Sequence, residues 1–329
     1  MKKFTTLAFL TVTFCILVAS SATAQQFNRR KLYNTVSVHL NAMNYFGDLV
    51  PKTSFTSFRF GATRPNLGVS YMHRFSPRLS GRGGLNYGRL SGDDKKGADM
   101  NDKDASYRYY RNLSFRNDIV EVSGVAIIDL FENRGTYLKR REFAPYVFGG
   151  IAAFHHNPKA ELNGEYIALQ PLGTEGQKSS GGYDDRKPYK RFQFSLPFGA
   201  GIRYKLDRQY DIGFEIGWRK TFTDYLDDVS TTYVDPKFLG ARVNPTFNAN
   251  QPAGTKNPRY INTIASTLAD RSNEGDQIAS LDAPSRIKYA GYGVVNSKRG
   301  TDNEDDWYIV SGFNFSYILT PKQKSPKFR

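Results

Sequence analysis

Residues 190–206 read KRFQFSLPFGAGIRYKL, and this alternation is compatible with few folds. From residue 192 to residue 204 every second side chain is apolar, while Gln193, Ser195, Arg203 and small residues lie between. Successive side chains of a β-strand point to opposite faces, so one face of this strand is continuously apolar. A bilayer can cover such a face and water cannot. The stretch therefore predicts a membrane-crossing strand, which needs about 9–11 residues.

Seven further stretches show the same period of two. They are residues 34–42, 66–75, 78–90, 115–130, 144–155, 210–222 and 307–319. Residues 78–90 are rich in glycine and alternate weakly, and residues 144–155 are apolar on both faces, which leaves their orientation open. Together the eight stretches predict an all-β fold, an eight-stranded antiparallel transmembrane β-barrel with long extracellular loops.

The lengths of the connections support this prediction. The short connections are residues 76–77, 131–143 and 207–209, and the long ones are residues 43–65, 91–114, 156–189 and 223–306. Short and long alternate, so every long loop falls at one end, as in outer-membrane barrels with long extracellular loops and short periplasmic turns. The alternative is a soluble antiparallel sandwich, which gives no reason for this division.

Five charged residues at polar positions of the predicted strands form the inward set: Glu121, Asp129, Arg203, Glu215 and Arg219. A basic side chain facing lipid costs about 2–4 kcal/mol near the midplane, so these residues are predicted to point inward. Eight strands enclose a lumen that side chains fill, and an unpaired buried charge is costly. We therefore predict a lumen ion-pair network in which Glu121 or Glu215 meets Arg203 or Arg219. Its role is structural, with a gated ion path as the alternative; a diffusive porin is not expected.

The first 24 residues have the features of a secretory signal peptide. Lys2 and Lys3 precede a mostly apolar run, residues 4–18, and the small residues 22–24 supply a cleavage site. We expect export, with residues 25–329 forming the barrel in the outer membrane. The one cysteine, Cys15, lies in the signal, so the mature chain is predicted to form no disulfide.

Positive charge collects at the predicted periplasmic end. The formal net charge of +15 favours acidic partners or lipid headgroups, and in an exported protein we expect no nucleic acid partner. The residues predicted to form a periplasmic docking rim are Arg134, Lys139, Arg140, Arg141, Lys322 and Lys324. Such a rim would bind a periplasmic or lipid-anchored protein. The alternative is contact with outer-membrane lipid alone.

The sequence contains none of the catalytic or metal motifs that we sought. Gly-x-Ser-x-Gly, His-Glu-x-x-His and Cys-x-x-Cys are absent. The adjacent His155 and His156 would point to opposite faces of a strand, which disfavours a shared metal ion. Acidic residues 224–228 fit a strand end and turn better than a calcium loop. We predict a non-enzymatic protein with no catalytic residue, cofactor, metal or small-molecule substrate.

Three stretches carry a family resemblance. MNYFGDL at residues 43–49, APYVFGGIAAFHHNP at 144–158 and GWRKTFTDYLDDVSTTYVDP at 217–236 resemble the PorG-like outer-membrane proteins of Bacteroidetes. The resemblance implies a non-enzymatic anchor of the type IX protein secretion and gliding motility machinery. Such a barrel docks a periplasmic ring, built from a lipoprotein and its partner, to the outer membrane. The alternative is a small OmpX-like surface barrel whose extracellular loops bind a ligand or a cell surface.

Overall fold

The computed structural model describes residues 31–49, 60–98, 106–178, 183, 185–235, 238–239, 263–272, 295–301 and 304–319. The predicted signal peptide, residues 1–24, and two predicted rim residues, Lys322 and Lys324, lie outside the described residues. Within the described ranges, no helix is long and apolar enough to span a membrane.

The described chain forms one antiparallel sheet with short helices in its connections. The strands are β1 (Asn34–Phe46), β2 (Arg64–Arg74), β3 (Leu79–Asp93), β4 (Ser114–Asp129), β5 (Phe143–His155), β6 (Pro158–Leu162), β7 (Glu165–Ala168), β8 (Phe192–Lys205), β9 (Tyr210–Thr221) and β10 (Trp307–Leu319). The helices are α1 (Asp94–Gly97), α2 (Ser106–Arg111) and α3 (Thr263–Ala269), with single-turn 3₁₀ helices at Phe60–Ala62 and Tyr137–Lys139.

Eight strands close into a barrel in the order β1-β2-β3-β4-β5-β8-β9-β10. β10 pairs with β1 from Trp307 opposite Phe46 to Leu319 opposite Asn34. The β3–β4 ladder then joins the remaining two edges, so the barrel sheet has no free edge. The predicted eight-stranded antiparallel barrel is confirmed. The sandwich alternative is wrong, because the strands form one closed sheet and not two packed sheets.

Outward-facing side chains of the barrel are apolar and exposed. They include Val38, Leu40, Leu67, Val69, Val122, Ile151, Phe192, Phe194, Phe313 and Phe315. Between them, polar side chains such as Ser195 and Asn314 are buried in the lumen. Apolar surface on this scale marks an interaction surface, and on a closed barrel the bilayer is the solvent that covers it. The fold is that of an outer-membrane β-barrel.

The orientation of β5, which the sequence leaves open, follows from the lumen charges. Tyr146 and Phe148 are buried inside, whereas Val147 and Ile151 are exposed outside. The inward aromatic rings contact charged groups, since Phe148 lies under the Arg82 guanidinium with 5.3 Å from Cζ to the ring centroid. Both faces of β5 are therefore apolar for different reasons: the outward face meets lipid, and the inward face packs against the Arg82 guanidinium.

The long connections contain a hairpin that the barrel prediction did not include. β6 and β7 are joined by Asn163 and Gly164, with φ of 54° and 84°. Asn-Gly favours such positive angles and is a strong local hairpin signal. We call the described residues of the four long connections the cap. Buried Leu49, Leu113 and Leu226 of the cap form part of one apolar cluster.

Candidate functional site

One lumen ion pair joins Glu121 of β4 to Arg219 of β9 across the barrel. Arg219 Nε lies 3.2 Å from Glu121 Oε2, and Tyr308 Oη donates to the same oxygen at 2.6 Å. This is one of the pairings that the sequence predicted. Both side chains are almost fully withdrawn from solvent, so each charge depends on the other for compensation.

Glu215 lies in the lumen with a partner that the sequence analysis missed. Arg82 of β3 pairs with it, donating from Nη2 to Oε2 at 2.9 Å. Tyr146 Oη donates to Glu215 Oε1 at 2.5 Å. The glycine-rich β3 alternates too weakly to reveal its inward face. The sequence therefore did not single out Arg82 as a lumen residue.

Arg203 also points inward, but its carboxylate partner is Asp129. Asp129 Oδ1 accepts from Arg203 Nη2 at 2.9 Å, and Oδ2 accepts from Arg74 Nη1 at 3.1 Å. Two cavities among the described lumen residues measure about 30 Å³ and about 20 Å³. Each holds roughly one water molecule. The geometry is that of a filled lumen.

At the short-turn end, Arg140 is buried and joins two connections. Its guanidinium is 2.7 Å from Asp211 Oδ1, and the two side chains are 5% and 6% exposed. It also donates to the carbonyl oxygens of Tyr137, Asp207, Arg208 and Tyr210. The structure therefore places Arg140 beneath the surface on which we expected it. A single inward-facing guanidinium fixes the segment between β4 and β5 against the β8–β9 turn.

The other described rim residues of the prediction face solvent. Arg134, Lys139 and Arg141 are exposed, and Arg134 Nε donates to Glu132 at 2.7 Å. Outside the lumen, the described residues of this end carry the basic side chains of Lys31, Arg78, Arg134, Lys139, Arg141, Lys205 and Arg208, and the acidic ones of Glu132, Glu142 and Asp207. We call this surface the rim. Basic groups outnumber acidic ones seven to three.

At the long-loop end, Arg111 connects three of the four long connections. It donates to both carboxylate oxygens of Asp94, at 2.7 and 2.8 Å. It also donates to the carbonyl oxygen of Asp48 at 2.8 Å and to that of Arg299 at 2.6 Å. Because Arg111 and Asp94 are at most 2% exposed, these bonds lie inside the cap.

Arg299 adds the fourth connection. Its Nη1 donates to Glu175 Oε1 at 2.8 Å and to the carbonyl oxygen of Asp228 at 2.6 Å. The Glu175 carboxylate also accepts from the backbone N–H groups of Ser230 and Thr231. Two buried arginines thus join all four long connections into one packed unit.

The segment Gly47-Asp48-Leu49 has a structural role in this unit. A β-carbon on Gly47 would overlap with Asp306 Oδ1 and Tyr45 Oη, so only glycine allows this close approach. Asp48 Oδ2 accepts from the backbone N–H of Thr301 at 2.8 Å, and Leu49 is 1% exposed in the apolar cluster. The segment fastens the first long connection to the last.

Below this segment, two buried carboxyl groups contact one phenol. Tyr45 Oη lies 2.5 Å from Asp227 Oδ2 and 3.0 Å from Asp306 Oδ1. One phenolic proton serves only one of these acceptors. Burial, and then repulsion between neighbouring carboxylates, raises the pKa of Asp227 and Asp306 well above the ordinary value. The cluster therefore binds protons more tightly than solvent-exposed carboxylates do.

A cavity of about 380 Å³ opens beside this cluster, at the ends of β1, β9 and β10. We call it the outer-end pocket. It is lined by Phe46, Gly47, Asp48, Trp218, Lys220, Asp224, Thr301, Glu304, Asp305 and Trp307. Burial, and then the neighbouring carboxylates of Asp227 and Asp48, raises the pKa of Asp224 to about 9. The sequence shows three aspartates within residues 224–228, but no local pattern indicates that they border a cavity.

The adjacent histidines are divided between two environments. His155 is exposed, whereas His156 is buried, and its Nε2 lies 3.1 Å from the carbonyl oxygen of Lys190. Burial lowers the pKa of His156 to about 4, so its ring is neutral at physiological pH. In the part of the chain that is described, no three His, Cys, Asp or Glu side chains are grouped closely enough to hold a metal ion.

Comparison with known proteins identifies the family. A family model described as a domain of unknown function, DUF6089, matches residues 8–237, which is more than half of the chain, so the chain belongs to this family. No curated protein matches the sequence.

Among solved structures, the chain is similar to three outer-membrane barrels at low identity. Pseudomonas aeruginosa OprG is 10% identical, covering 88% of this chain and 98% of its own, with a TM-score of 0.38. The N-terminal β-barrel domain of Pseudomonas aeruginosa OprF is 10% identical, covering 86% and 97%, with a TM-score of 0.30. Ail, the attachment invasion locus protein of Yersinia pestis, is 8% identical, covering 57% and 87%, with a TM-score of 0.31.

Proposed function

We propose that this member of the DUF6089 family is a non-enzymatic outer-membrane anchor that docks a periplasmic protein assembly through its rim. The long loops lie outside the cell and the short turns in the periplasm, following the arrangement of outer-membrane barrels. Outer-membrane lipid covers the apolar exterior. The resemblance to PorG-like proteins implies that this assembly is the periplasmic ring of a lipoprotein and its partner that serves type IX secretion and gliding.

One observation carries this proposal: the Arg140 guanidinium is buried beneath a surface on which Arg134, Lys139 and Arg141 are exposed. Burying an arginine is costly unless its donors are used, and Arg140 contacts Asp211 and four carbonyl oxygens. Those contacts hold Arg134, Lys139 and Arg141 on a fixed backbone. A preorganised cationic surface loses less entropy on docking than a mobile one.

The filled lumen is consistent with an anchor and argues against a diffusion pore. Ion pairs of Glu121 with Arg219 and of Glu215 with Arg82 cross the barrel interior. Two cavities among the described lumen residues are each near the size of one water molecule. We therefore assign the function to the ends of the barrel and not to its lumen.

Reversal of the rim charge tests the anchor. We would change Arg134, Lys139 and Arg141 to glutamate, tag the barrel and purify it from mildly solubilised outer membranes, identifying bound proteins by mass spectrometry. Electrostatic complementarity predicts that the ring lipoprotein and its partner co-purify with the wild type and are lost with the variant. The matched control reverses three exposed lysines of the long-loop end, Lys95, Lys187 and Lys190. Retention by the rim variant would disprove docking through the rim.

A second candidate function is a surface barrel whose extracellular end binds a ligand, the OmpX-like alternative. The outer-end pocket of about 380 Å³ favours it, because ligand pockets of about 300–1,000 Å³ are typical for small molecules. A wild-type barrel that purifies without ring proteins at several detergent and salt conditions would favour this candidate over the anchor.

A further inference from the structure

We infer that the outer-end pocket is a binding site for an organic cation, an amine or quaternary ammonium compound with an apolar body. This inference deepens the second candidate function and is independent of the rim. It rests on three properties of the pocket: its aromatic wall, its charge and an ammonium group that the wall already binds.

The wall consists of indole rings held by a third aromatic residue. Trp218 stacks on Phe198 with the ring centroids 6.0 Å apart and the planes at 18°, and Trp307 meets the same ring edge-on at 6.2 Å. Indole is the best aromatic partner for a cation, because its face carries negative electrostatic potential. The two rings border one cavity because Trp218 and Trp307 lie on adjacent strands, β9 and β10.

The chain itself provides an example of this recognition. Lys220 Nζ lies 5.4 Å from the centroid of the Trp307 ring, within the range of a cation–π contact. The pocket wall therefore already contacts one ammonium group, that of Lys220. A second cation entering the cavity would meet the carboxylate side chains, which Lys220 does not neutralise.

Carboxyl groups outnumber the ammonium group in the pocket. Asp48, Glu304 and Asp305 line it against Lys220 alone, whereas Asp224, whose pKa is raised to about 9, adds no negative charge at neutral pH. Glu304 and Asp305 are exposed at the opening, where they would attract a cation from solution. The net negative charge of the lining would repel an anion, so the pocket should prefer cations.

Intrinsic fluorescence tests this inference directly, because the chain has only two tryptophans and both line the pocket. The full-length mature protein in neutral detergent would be titrated with benzyltrimethylammonium chloride. Sodium benzenesulfonate, of similar size and opposite charge, and calcium chloride would be titrated in parallel. We expect a saturable fluorescence change with the ammonium probe only. No saturable change with the ammonium probe, or an equal change with the sulfonate, would overturn the proposal. Displacement of the ammonium signal by calcium would reassign the pocket to a metal ion.

Two exposed carboxylates provide variants that leave the fold undisturbed. Glu304→Gln with Asp305→Asn should weaken binding of the ammonium probe by about tenfold, since each is an exposed charge of modest individual strength. The matched control is Glu161→Gln with Glu165→Gln, two exposed acids on the β6–β7 hairpin, which should leave binding unchanged. Equal weakening by both pairs would contradict a local site. If the wild-type protein does not bind the ammonium probe but still co-purifies with the ring proteins, the pocket proposal is wrong and the anchor proposal stands.

Discussion

Replacing Arg140 with methionine should destabilise the barrel by about 3–5 kcal/mol, the usual cost of removing one partner of a buried ion pair. Methionine keeps the length and apolar stem of the side chain but cannot donate hydrogen bonds. Asp211, which is 5% exposed, would then retain its charge without its principal partner. The four carbonyl oxygens lie at a turn where water can replace the lost donors, so most of the cost comes from Asp211.

A second substitution separates this effect from lost packing. Asp211→Asn removes the stranded charge, so adding it to Arg140→Met should recover a large part of the lost stability. The expected coupling energy is about 2–3 kcal/mol, near the top of the range for residues in contact. Urea unfolding in lipid vesicles, followed by tryptophan fluorescence, measures all four proteins of the cycle.

The control lies on the same connection. Arg134→Met changes a side chain that is 72% exposed, and it should shift the free energy of unfolding by no more than about 0.5 kcal/mol. Two results would refute the reasoning. One is a loss below about 1 kcal/mol for Arg140→Met, and the other is strict additivity with Asp211→Asn.

Three further predictions concern the cap and the lumen. Gly47→Ala should lower the free energy of opening the cap by about 1–3 kcal/mol, because a β-carbon there overlaps Asp306 and Tyr45. Faster protease cleavage of the loops, with the barrel intact, would verify this. The raised pKa of Asp224 means that its native state holds a proton that the unfolded state releases near pH 4. Its stabilising effect is thus lost as pH rises towards about 9. Hydrogen exchange of the cap should accelerate over that pH range, and the acceleration should be smaller in Asp224→Asn. Identical pH profiles for the wild type and the variant would contradict this prediction. Planar bilayers containing the protein should show no large stepwise conductance, since ion pairs such as Glu215 with Arg82 fill the lumen.

The barrel was predictable from the sequence because its strands obey two simple constraints. The period of two that shows the outward face of β8 follows from the pleat of a strand, and the cost of charge in lipid fixes Arg203 and Arg219 as inward. Neither argument requires knowledge of distant contacts. The orientation of β5 was not predictable, because both of its faces are apolar and the inward one is distinguished by contacts with other strands, such as that of Phe148 with Arg82.

The ends of the barrel were less predictable. Arg140 and Arg141 are neighbours of the same type, yet one is buried against Asp211 and the other is exposed. No local pattern distinguishes them, since the difference depends on a turn about 70 residues away. The outer-end pocket was likewise hidden, because it brings Asp48, Trp218 and Asp305 together from distant parts of the chain. The β6–β7 hairpin carried a readable signal in Asn163-Gly164.

The ion pairs that cross the lumen also constrain how the barrel enters the membrane. Glu121 of β4 and Arg82 of β3 have their partners, Arg219 and Glu215, on β9. An N-terminal half inserted alone would carry Glu121 and Arg82 into lipid without these counter-ions. The costs of stranding such charges are prohibitive for a stepwise route in which hairpins cross the bilayer one after another. The two halves of the chain must therefore meet before or during insertion, and closure of the β1–β10 seam becomes part of crossing the membrane and not a step that follows it.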